Sequence, residues 1–363
     1  MQMEKPARTA RRKSDITEQA VSVGKIPHFM QFQPRKKQTL DYLIVIPSYN
    51  RPRRLCEETL ALLRRHDVPL GKVHVFVNDA RGSTEEPQWK QYHDAIVEFK
   101  CTSVQLHRGG RDLVQQMSKI FSWAAGRDVV LMSDAVNDIL WKDISTTGST
   151  KLTSLPRGGL QAVIQHGYAL MMAGNCMAWS LGASHDGRFM KSMGITRRVG
   201  LLDGNFAGMI VNDFLQSMTM HPQDGLVYDV ALACQLWSTG HRFFRYLGMC
   251  CKHTYRSAGG QSALFPDKTV RREAENQCIR RLERRFPDLI KFNDSPKFSL
   301  KRMQYKFLRA GPDPWVMRVN GRGRLPTVKI TRLSNKERQA MWRQRNKAKS
   351  GDNASPVRGS QQQ

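Results

Sequence analysis

Acidic residues are scarce in this chain relative to basic ones. Among its 363 residues, 31 Asp and Glu stand against 58 Lys and Arg, which gives a formal net charge of +27 at pH 7. A globular protein needs no charge of this size for solubility alone. The imbalance therefore predicts a polyanionic partner.

Long apolar runs and paired cysteines are missing as well. No stretch reaches the roughly 18 apolar residues that span a bilayer, and the first residues contain no apolar signal core. We therefore expect neither membrane insertion nor secretion, but a cytoplasmic location, which is the host cytoplasm if the protein is viral. The seven cysteines form no CxxC pair, and the only close pair, Cys250 and Cys251, is adjacent. This usage indicates reduced thiols rather than a zinc knuckle.

The glycine-rich signatures of two large nucleotide-binding classes are absent. Neither GxGxxG nor GxxxxGK[ST] occurs, which argues against a dinucleotide-dependent oxidoreductase and a P-loop ATPase. No internal repeat is visible. Hydrophobic residues make up 40% of the chain, so it can close a core, and disorder of the whole chain is not expected.

Basic charge is concentrated at both ends and is also present in the body. Residues 1–38 contain nine basic and three acidic residues (9 − 3 = +6), and residues 318–363 contain twelve and two (12 − 2 = +10). The remainder has 27 − 16 = +11. The last stretch is rich in Arg, Lys, Gln, Ser and Gly, which is typical of a disordered or marginally helical arm. Such an arm is either a solvated tail or a clamp on nucleic acid.

The first half of the body has the pattern of an α/β protein. Apolar strand-like runs occur at 42–52, 72–80, 102–110 and 127–135. Helical stripes follow the first run and separate the last two, whereas a loop is expected between the second and third. Strands that alternate with helices in this way predict a mainly parallel sheet.

The second half is less regular. Residues 160–181 are interpreted as mixed strands, and 201–213 as a glycine-containing loop with a strand. Residues 228–253 are predicted to form a helix that stops at Gly240, followed by a strand. An arginine-rich amphipathic helix is predicted at 271–290, with its arginines facing either solvent or phosphates.

Polar residues follow the predicted parallel strands at the points where these end. Ligands of such sheets bind beside the carboxyl ends of the strands. The residues collected there are Ser48, Asn50, Arg51, Asn78, Asp79, Arg108 to Arg111 and Asp134.

Two carboxylates, Asp134 and Asp138, lie within "VVLMSDAVNDIL". Mg²⁺ and Mn²⁺ prefer oxygen ligands and commonly bind one or two carboxylates together with substrate phosphates. The alternative is structural, with Asp134 ending the strand and Asp138 capping a helix that begins at Ile139.

Four short segments carry a resemblance to a known superfamily: "IVIPSYNRP", "VNDA", "RGGR" and the acids after "VVLM". They resemble the nucleotide-sugar half of a GT-A glycosyltransferase, and the likeness spans roughly residues 40–260. Within that superfamily, "PSYNR" and the basic chain resemble the TET-associated glycosyltransferases, which are predicted to act on hydroxymethylated pyrimidines in phage and base-J-type DNA.

The resemblance implies a Rossmann-like GT-A fold, with a mainly parallel sheet, helices on both faces and basic terminal extensions. The implied organisation is a basic extension at 1–38, a catalytic domain at 39–265 with a donor half (39–145) and an acceptor half (146–265), a basic helical region at 266–317 and a basic tail at 318–363.

The resemblance also implies roles for single residues. Asp134 and Asp138 correspond to the D-x-D motif that holds Mn²⁺ or Mg²⁺, although here four positions separate them. His253 would be a further metal ligand, and Asp229 the catalytic base, with Asp224 as the rival acid. The implied donor-binding residues are Pro47, Ser48, Asn50, Arg51, Asp79, Arg111, Gly204 and Gly208.

The sequence thus predicts a metal-dependent hexosyltransferase that moves a sugar from a UDP-glucose-like donor to a hydroxyl of a modified DNA base. Three alternatives stay open: a protein or glycan acceptor, a non-catalytic DNA-binding protein on the same fold, and a nucleotidyltransferase. Large aromatic residues either stack on sugar or an extruded base, or fill the core. They are Trp141, Trp179, Phe206, Trp237 and Phe243.

Overall fold

The computed structural model describes residues 41–78, 87–142, 152–184, 186–188, 190, 194–253, 265, 267–293 and 305–308. Asp79 and the two basic extensions, 1–38 and 318–363, lie outside the described residues.

Twelve strands are described. They are β1 (Tyr42–Ser48), β2 (Val73–Val77), β3 (Gln105–Arg108), β4 (Asp128–Met132), β5 (Val136–Lys142), β6 (Leu152–Ser154), β7 (Ala178–Gly182), β8 (Ile195–Thr196), β9 (Phe206–Ile210), β10 (Phe243–His253), β11 (Ile290–Phe292) and β12 (Tyr305–Phe307).

The α-helices follow in chain order. They are α1 (Pro52–Arg54), α2 (Ala61–Arg65), α3 (Pro87–Glu98), α4 (Leu113–Trp123), α5 (Gly159–Ala173), α6 (Asp213–Ser217), α7 (Tyr228–Ser238) and α8 (Lys268–Arg285). A π-helical segment, Leu55–Leu60, joins α1 to α2, and 3₁₀ segments occupy Leu70–Lys72 and Pro222–Val227. No helix in the described ranges has the length and apolar character needed to cross a bilayer.

A ten-stranded mixed sheet forms the centre of the molecule, in the order β3-β2-β1-β4-β9-β7-β10-β5-β6, with β8 paired to β10. β1 runs parallel to β2 and β4, and β2 parallel to β3. β9 is antiparallel to both of its neighbours, β4 and β7, while β10 runs parallel to β7. Most strands therefore run in one direction, with β5, β8 and β9 reversed.

Helices cover both faces of this sheet, because successive residues of a strand point to opposite sides. Ile44 and Ile46 of β1 pack in a core with the π-helical segment, α2, α3 and α5, whereas Val45 packs in a second core with α4 and α7. All three side chains are fully buried. The predicted α/β class is confirmed, and the arrangement is consistent with a Rossmann-like GT-A fold.

Two secondary-structure predictions were wrong. The expected loop between the second and third strands contains α3, whose Tyr92 and Ile96 are one helical turn apart and buried. Residues 160–181 form α5 and β7 rather than mixed strands. In α5, Leu160, Val163 and Ile164 follow helical spacing, but its other face is also largely apolar, which obscures that period.

A third core cluster joins α8 to α7. Cys278, Ile279 and Leu282 of α8 pack against α7 residues that include Val230 and Cys234. This confirms the amphipathic helix predicted at 271–290. The prediction that a helix stops at Gly240 is confirmed too, since α7 ends just before this glycine, whose φ is +82°.

Candidate functional site

The site lies at the carboxyl edge of the parallel strands β1 to β4. β9 runs against β4, with Phe206 opposite Met132, so the loop that precedes β9 reaches this same edge. There the Ser133 N–H donates to the Asn205 carbonyl over 3.0 Å. The topology thus brings the acid that follows β4 close to a loop more than 60 positions later in the sequence.

Asp134 is held by a chain of hydrogen bonds that begins at the end of β1. The Ser48 hydroxyl donates to the Asp134 carboxylate over 2.6 Å and lies 2.6 Å from the Tyr92 hydroxyl. Because Ser48 has a single proton, Tyr92 must donate to Ser48, and Tyr92 in turn accepts from the Arg51 N–H at 3.0 Å. The Arg51 guanidinium lies 3.1 Å from the second Asp134 oxygen.

Asp134 and two of the groups around it are shielded from water. Ser48 is 2% exposed, Asp134 4% and Tyr92 0%. Burial, and after it the Asp134 charge, raises the pKa of Tyr92, so this phenol stays a neutral donor. The structure therefore brings Ser48, Arg51 and Asp134 together, three residues that the sequence assigned to donor or metal binding.

A missed residue, Gln116, connects this edge to α4. Its side-chain amide donates to the Phe76 carbonyl and, over 3.4 Å, to the Ser48 carbonyl, which joins the ends of β1 and β2. Gln116 is 2% exposed. The only sequence signal for it is a polar residue inside the apolar stripe of a helix.

Arg111 stands just before α4, and two glycines account for its position. A Cβ on Gly110 would lie 2.5 Å from atoms of Gln115 and Gln116, so only glycine lets the loop approach the helix this closely. The Arg111 N–H donates to the Gln115 side chain over 3.2 Å, while the Arg111 side chain is exposed. The guanidinium is therefore open to an anion, whereas the N-terminus of α4 is capped by the Asp112 carboxylate, which accepts from the Gln115 N–H over 2.8 Å.

Pro47 and Asn50 flank Ser48 at the same strand end. Pro47 lies in β1 opposite Phe76 of β2, and Asn50 forms the following turn with a φ of +52°, a conformation that asparagine tolerates better than most residues. Their assignment to donor binding stays a prediction.

Asp229 lies in the first turn of α7 and faces the loop before β9. A Cβ on Gly204 would be 3.4 Å from the Asp229 Cβ, so the glycine loop touches this acid. The carboxylate accepts from the Val230 N–H over 2.9 Å. Burial raises the pKa of Asp229 to about 6. A carboxylate of this basicity is suited to general-base chemistry.

Asp203 is a second acid in this loop that the sequence analysis overlooked. It is 3% exposed, and its carboxylate accepts from the Asn205 N–H at 3.1 Å and from the Asn205 side-chain amide at 2.8 Å. Burial, with a smaller contribution from the Asp229 charge, raises the pKa of Asp203 to about 7. The sequence signal that could have identified Asp203 is the Asp-Gly-Asn turn, because an Asp side chain in such a turn accepts from the backbone N–H two residues later.

The free energy of unfolding should depend on pH through Asp203 and Asp229. Unfolded carboxyls titrate near pH ~4. Because both folded pKa values are raised, the stability that Asp203 and Asp229 contribute is fully present below the unfolded pKa and is lost progressively as pH rises from ~4 through the folded values of about 6 and about 7. We expect the free energy of unfolding of wild type, minus that of an Asp203→Asn/Asp229→Asn variant, to fall across this window in urea titrations. A difference independent of pH would contradict the assignment.

Asp138 is placed apart from Asp134. It lies within β5, where its carboxylate contacts the Arg65 guanidinium and accepts from the Ser154 hydroxyl over 2.6 Å. The alternative that Asp138 caps a helix from Ile139 is wrong, because residues 136–142 form a strand.

The three predicted metal ligands do not form one coordination set. His253 pairs with Val136 across the sheet, and Asp138 with Lys252. The described part of the chain contains no group of three or more His, Cys, Asp or Glu side chains arranged to hold a metal ion. Carboxylate and imidazole groups are suitable donors, but Asp134 and Asp138 are each engaged by an arginine. Dependence on Mn²⁺ or Mg²⁺ stays a prediction, and we derive no catalytic step through a metal.

Gly208 lies inside β9, beneath the Trp179 indole. A Cβ there would be 2.2 Å from the indole nitrogen, so this glycine makes room for the tryptophan. Four of the five aromatic residues considered for stacking are buried: Trp141, Trp179, Phe206 and Phe243. The fifth, Trp237, has the Arg242 guanidinium 4.2 Å from its ring centroid.

Asp224, the rival to Asp229, faces α8. It is 2% exposed, and the guanidinium groups of Arg281 and Arg285 lie 3.8 and 4.0 Å away. Burial raises the pKa of Asp224, and the two arginines oppose this shift. Asp224 therefore helps to dock α8 against the 3₁₀ segment before α7.

Comparisons with known proteins find similarities among solved structures. No family model matches the chain, and no curated protein matches it. Among solved structures, it is similar to the mannosyltransferase PcManGT from Pyrobaculum calidifontis, determined in complex with GDP-Man and Mn²⁺. The identity is 16% and the TM-score 0.41, over 71% of this chain and 69% of that chain.

Proposed function

We propose that the protein is a glycosyltransferase that moves a sugar from a nucleotide diphosphate to a hydroxyl of a modified DNA base. The observation that carries this proposal is the position of Asp229. This acid lies at the start of α7, next to Gly204 of the loop that precedes β9. The same loop accepts a hydrogen bond from Ser133, the residue before Asp134. This position supports a role as the base, because ligands of this architecture bind at the carboxyl edge of the sheet.

The donor side is supported by fixed positive charge. Arg51 is oriented by Asp134, and Arg111 precedes the N-terminus of α4. A diphosphate at this edge would meet these two guanidinium groups. Because Ser48 and Tyr92 hold Asp134 in place, Arg51 is positioned before the donor arrives.

The chemical step is a displacement at the anomeric carbon. The acceptor oxygen forms a bond to this carbon while the bond to the diphosphate oxygen breaks, and the nucleoside diphosphate leaves with the bonding electrons. Asp229 takes the proton of the attacking hydroxyl. A single base acts most simply in a direct displacement with inversion, which analysis of the product anomer tests.

The DNA acceptor is supported by the charge of the chain. A net charge of +27 attracts a polyanion, and both ends contribute to it. Binding through phosphates weakens steeply with salt. We therefore expect transfer to hydroxymethylated DNA to fall steeply from about 50 to about 200 mM salt, whereas transfer to the free modified nucleoside should depend on salt only weakly.

The direct test is incubation with UDP- and GDP-sugars and DNA that contains hydroxymethylcytosine or hydroxymethyluracil, with and without Mn²⁺ or Mg²⁺. Nucleoside mass spectrometry should show the mass of one hexose added to the modified base, and unmodified DNA of the same sequence is the control. Transfer to protein or glycan with no gain on DNA would refute the DNA acceptor. Release of pyrophosphate instead of a nucleoside diphosphate would refute glycosyl transfer.

A further inference from the structure

β11 and β12 form a separate two-stranded sheet that packs beside α8. β12 pairs antiparallel with β11, with Tyr305 opposite Phe292, and the Leu308 N–H donates to the Leu289 carbonyl over 2.8 Å. Tyr305 and Phe307 pack edge to face, with their ring centroids 5.6 Å apart. β12 is thus bound to β11 along its length and to Leu289 just after its last residue.

Tyr305 packs in the apolar layer beside both acids. It contacts the third core cluster, which contains Val227 and Val230. These residues lie two positions before and one position after Asp229. Leu201, two positions before Asp203, packs against the same cluster. One aromatic ring therefore borders the beginning of α7 and the loop before β9.

The charges around Tyr305 come from several elements. Burial raises the pKa of Tyr305, and among the charges the negative charge of Asp229 contributes most, while Arg245 of β10 opposes the shift and Cys234 and Asp203 add to it. Asp229 itself also faces Glu275 of α8, whose charge raises its pKa further. A neutral phenol in this place covers the acids without adding a charge.

We propose that Tyr305 is a positioning residue of the site, which closes the apolar side of Asp203 and Asp229 and keeps bulk water away from them. It thereby maintains Asp229 in the desolvated state in which a carboxylate accepts the proton of a hydroxyl. The proposal rests on the proposed role of Asp229 as the base. It also makes β12 a part of the active site.

The test is the titration of the Asp229 carboxyl, followed by NMR in full-length protein labelled with ¹³C at the aspartate carboxyl carbon. The Asp229 signal is assigned by its loss in Asp229→Asn. In Tyr305→Ala, water reaches the pair, and the pKa of Asp229 should move from about 6 towards the ordinary ~4. Tyr305→Phe, which keeps the ring, and Lys306→Ala, an exposed neighbour on the same strand, should leave this pKa unchanged.

An unchanged Asp229 titration in folded Tyr305→Ala would overturn the proposal. If the alanine variant does not fold, Tyr305→Leu keeps an apolar side chain in the cluster while it opens the space of the ring, and it should lower the same pKa. In the pH profile of kcat/KM, the midpoint of the acid limb should fall together with the pKa of Asp229. Since the NMR titration needs no substrate, failure of wild type to transfer sugar refutes the proposed function without deciding the role of Tyr305.

Discussion

Asp229→Asn is expected to lower kcat for sugar transfer by about 10²- to 10⁴-fold, the usual contribution of a general base. Asparagine keeps the size of the side chain and can still accept from the Val230 N–H, but it cannot take a proton. Donor binding should change little, because the donor is proposed to bind Arg51 and Arg111, which follow β1 and β3. Initial rates at saturating donor and acceptor, with thermal melting to verify folding, give the result.

Asp224→Asn is the matched control for this variant. Both acids are close in sequence, and burial raises both pKa values, but Asp224 faces Arg281 and Arg285 of α8. We expect its replacement to reduce stability and leave kcat within a few-fold of wild type. If Asp224→Asn removes activity while Asp229→Asn keeps it, the base has been assigned to the wrong acid.

Asp134→Ala is expected to abolish donor binding and to lower the free energy of unfolding by about 3–5 kcal/mol, the usual cost of breaking a buried ion pair by removing one partner. The Asp134 side chain is 6% exposed and that of Arg51 13%. Its loss would also remove the acceptor of the Ser48 hydroxyl. Urea unfolding measures the stability, and titration calorimetry with UDP-glucose and GDP-mannose measures the binding.

Asp138→Ala provides the comparison, because the two acids were predicted to share one metal. Its partner Arg65 is 44% exposed and can be rehydrated, so the loss of stability should be smaller, and donor affinity should be retained. Ser48→Ala is a milder variant, because it removes one hydrogen bond to Asp134 and keeps the ion pair with Arg51. It can be measured in place of Asp134→Ala if that variant does not fold. Equal loss of donor binding in the Asp134 and Asp138 variants, both folded, would instead favour a shared site.

Divalent metal should be tested within the same calorimetry series. If Mn²⁺ tightens donor binding in wild type and in Asp138→Ala but not in Asp134→Ala, Asp134 is the principal ligand. If chelation leaves wild-type transfer unchanged, the predicted metal dependence is refuted.

Local patterns in the sequence predicted much of the sheet. The buried runs that became β1, β2 and β4 are apolar on both faces. The helix before β10 could be predicted because its apolar stripe is followed directly by the glycine that ends it. α5 was missed because it is apolar nearly all round, so its period is weak. α3 was missed because polar residues dilute the apolar positions at Trp89, Tyr92 and Ile96.

The sequence by itself determined the α/β class, the basic character of the chain and the set of polar residues at the strand ends, since each depends on composition or on neighbouring positions. Only the tertiary structure decided how these residues combine. The reversed direction of β9 places the loop of Asp203 beside the strand end that precedes Asp134, whereas Asp134 and Asp138, four positions apart, contact different arginines. Such contacts depend on strand order and on which face each side chain takes, and neither is encoded in the spacing of residues along the chain.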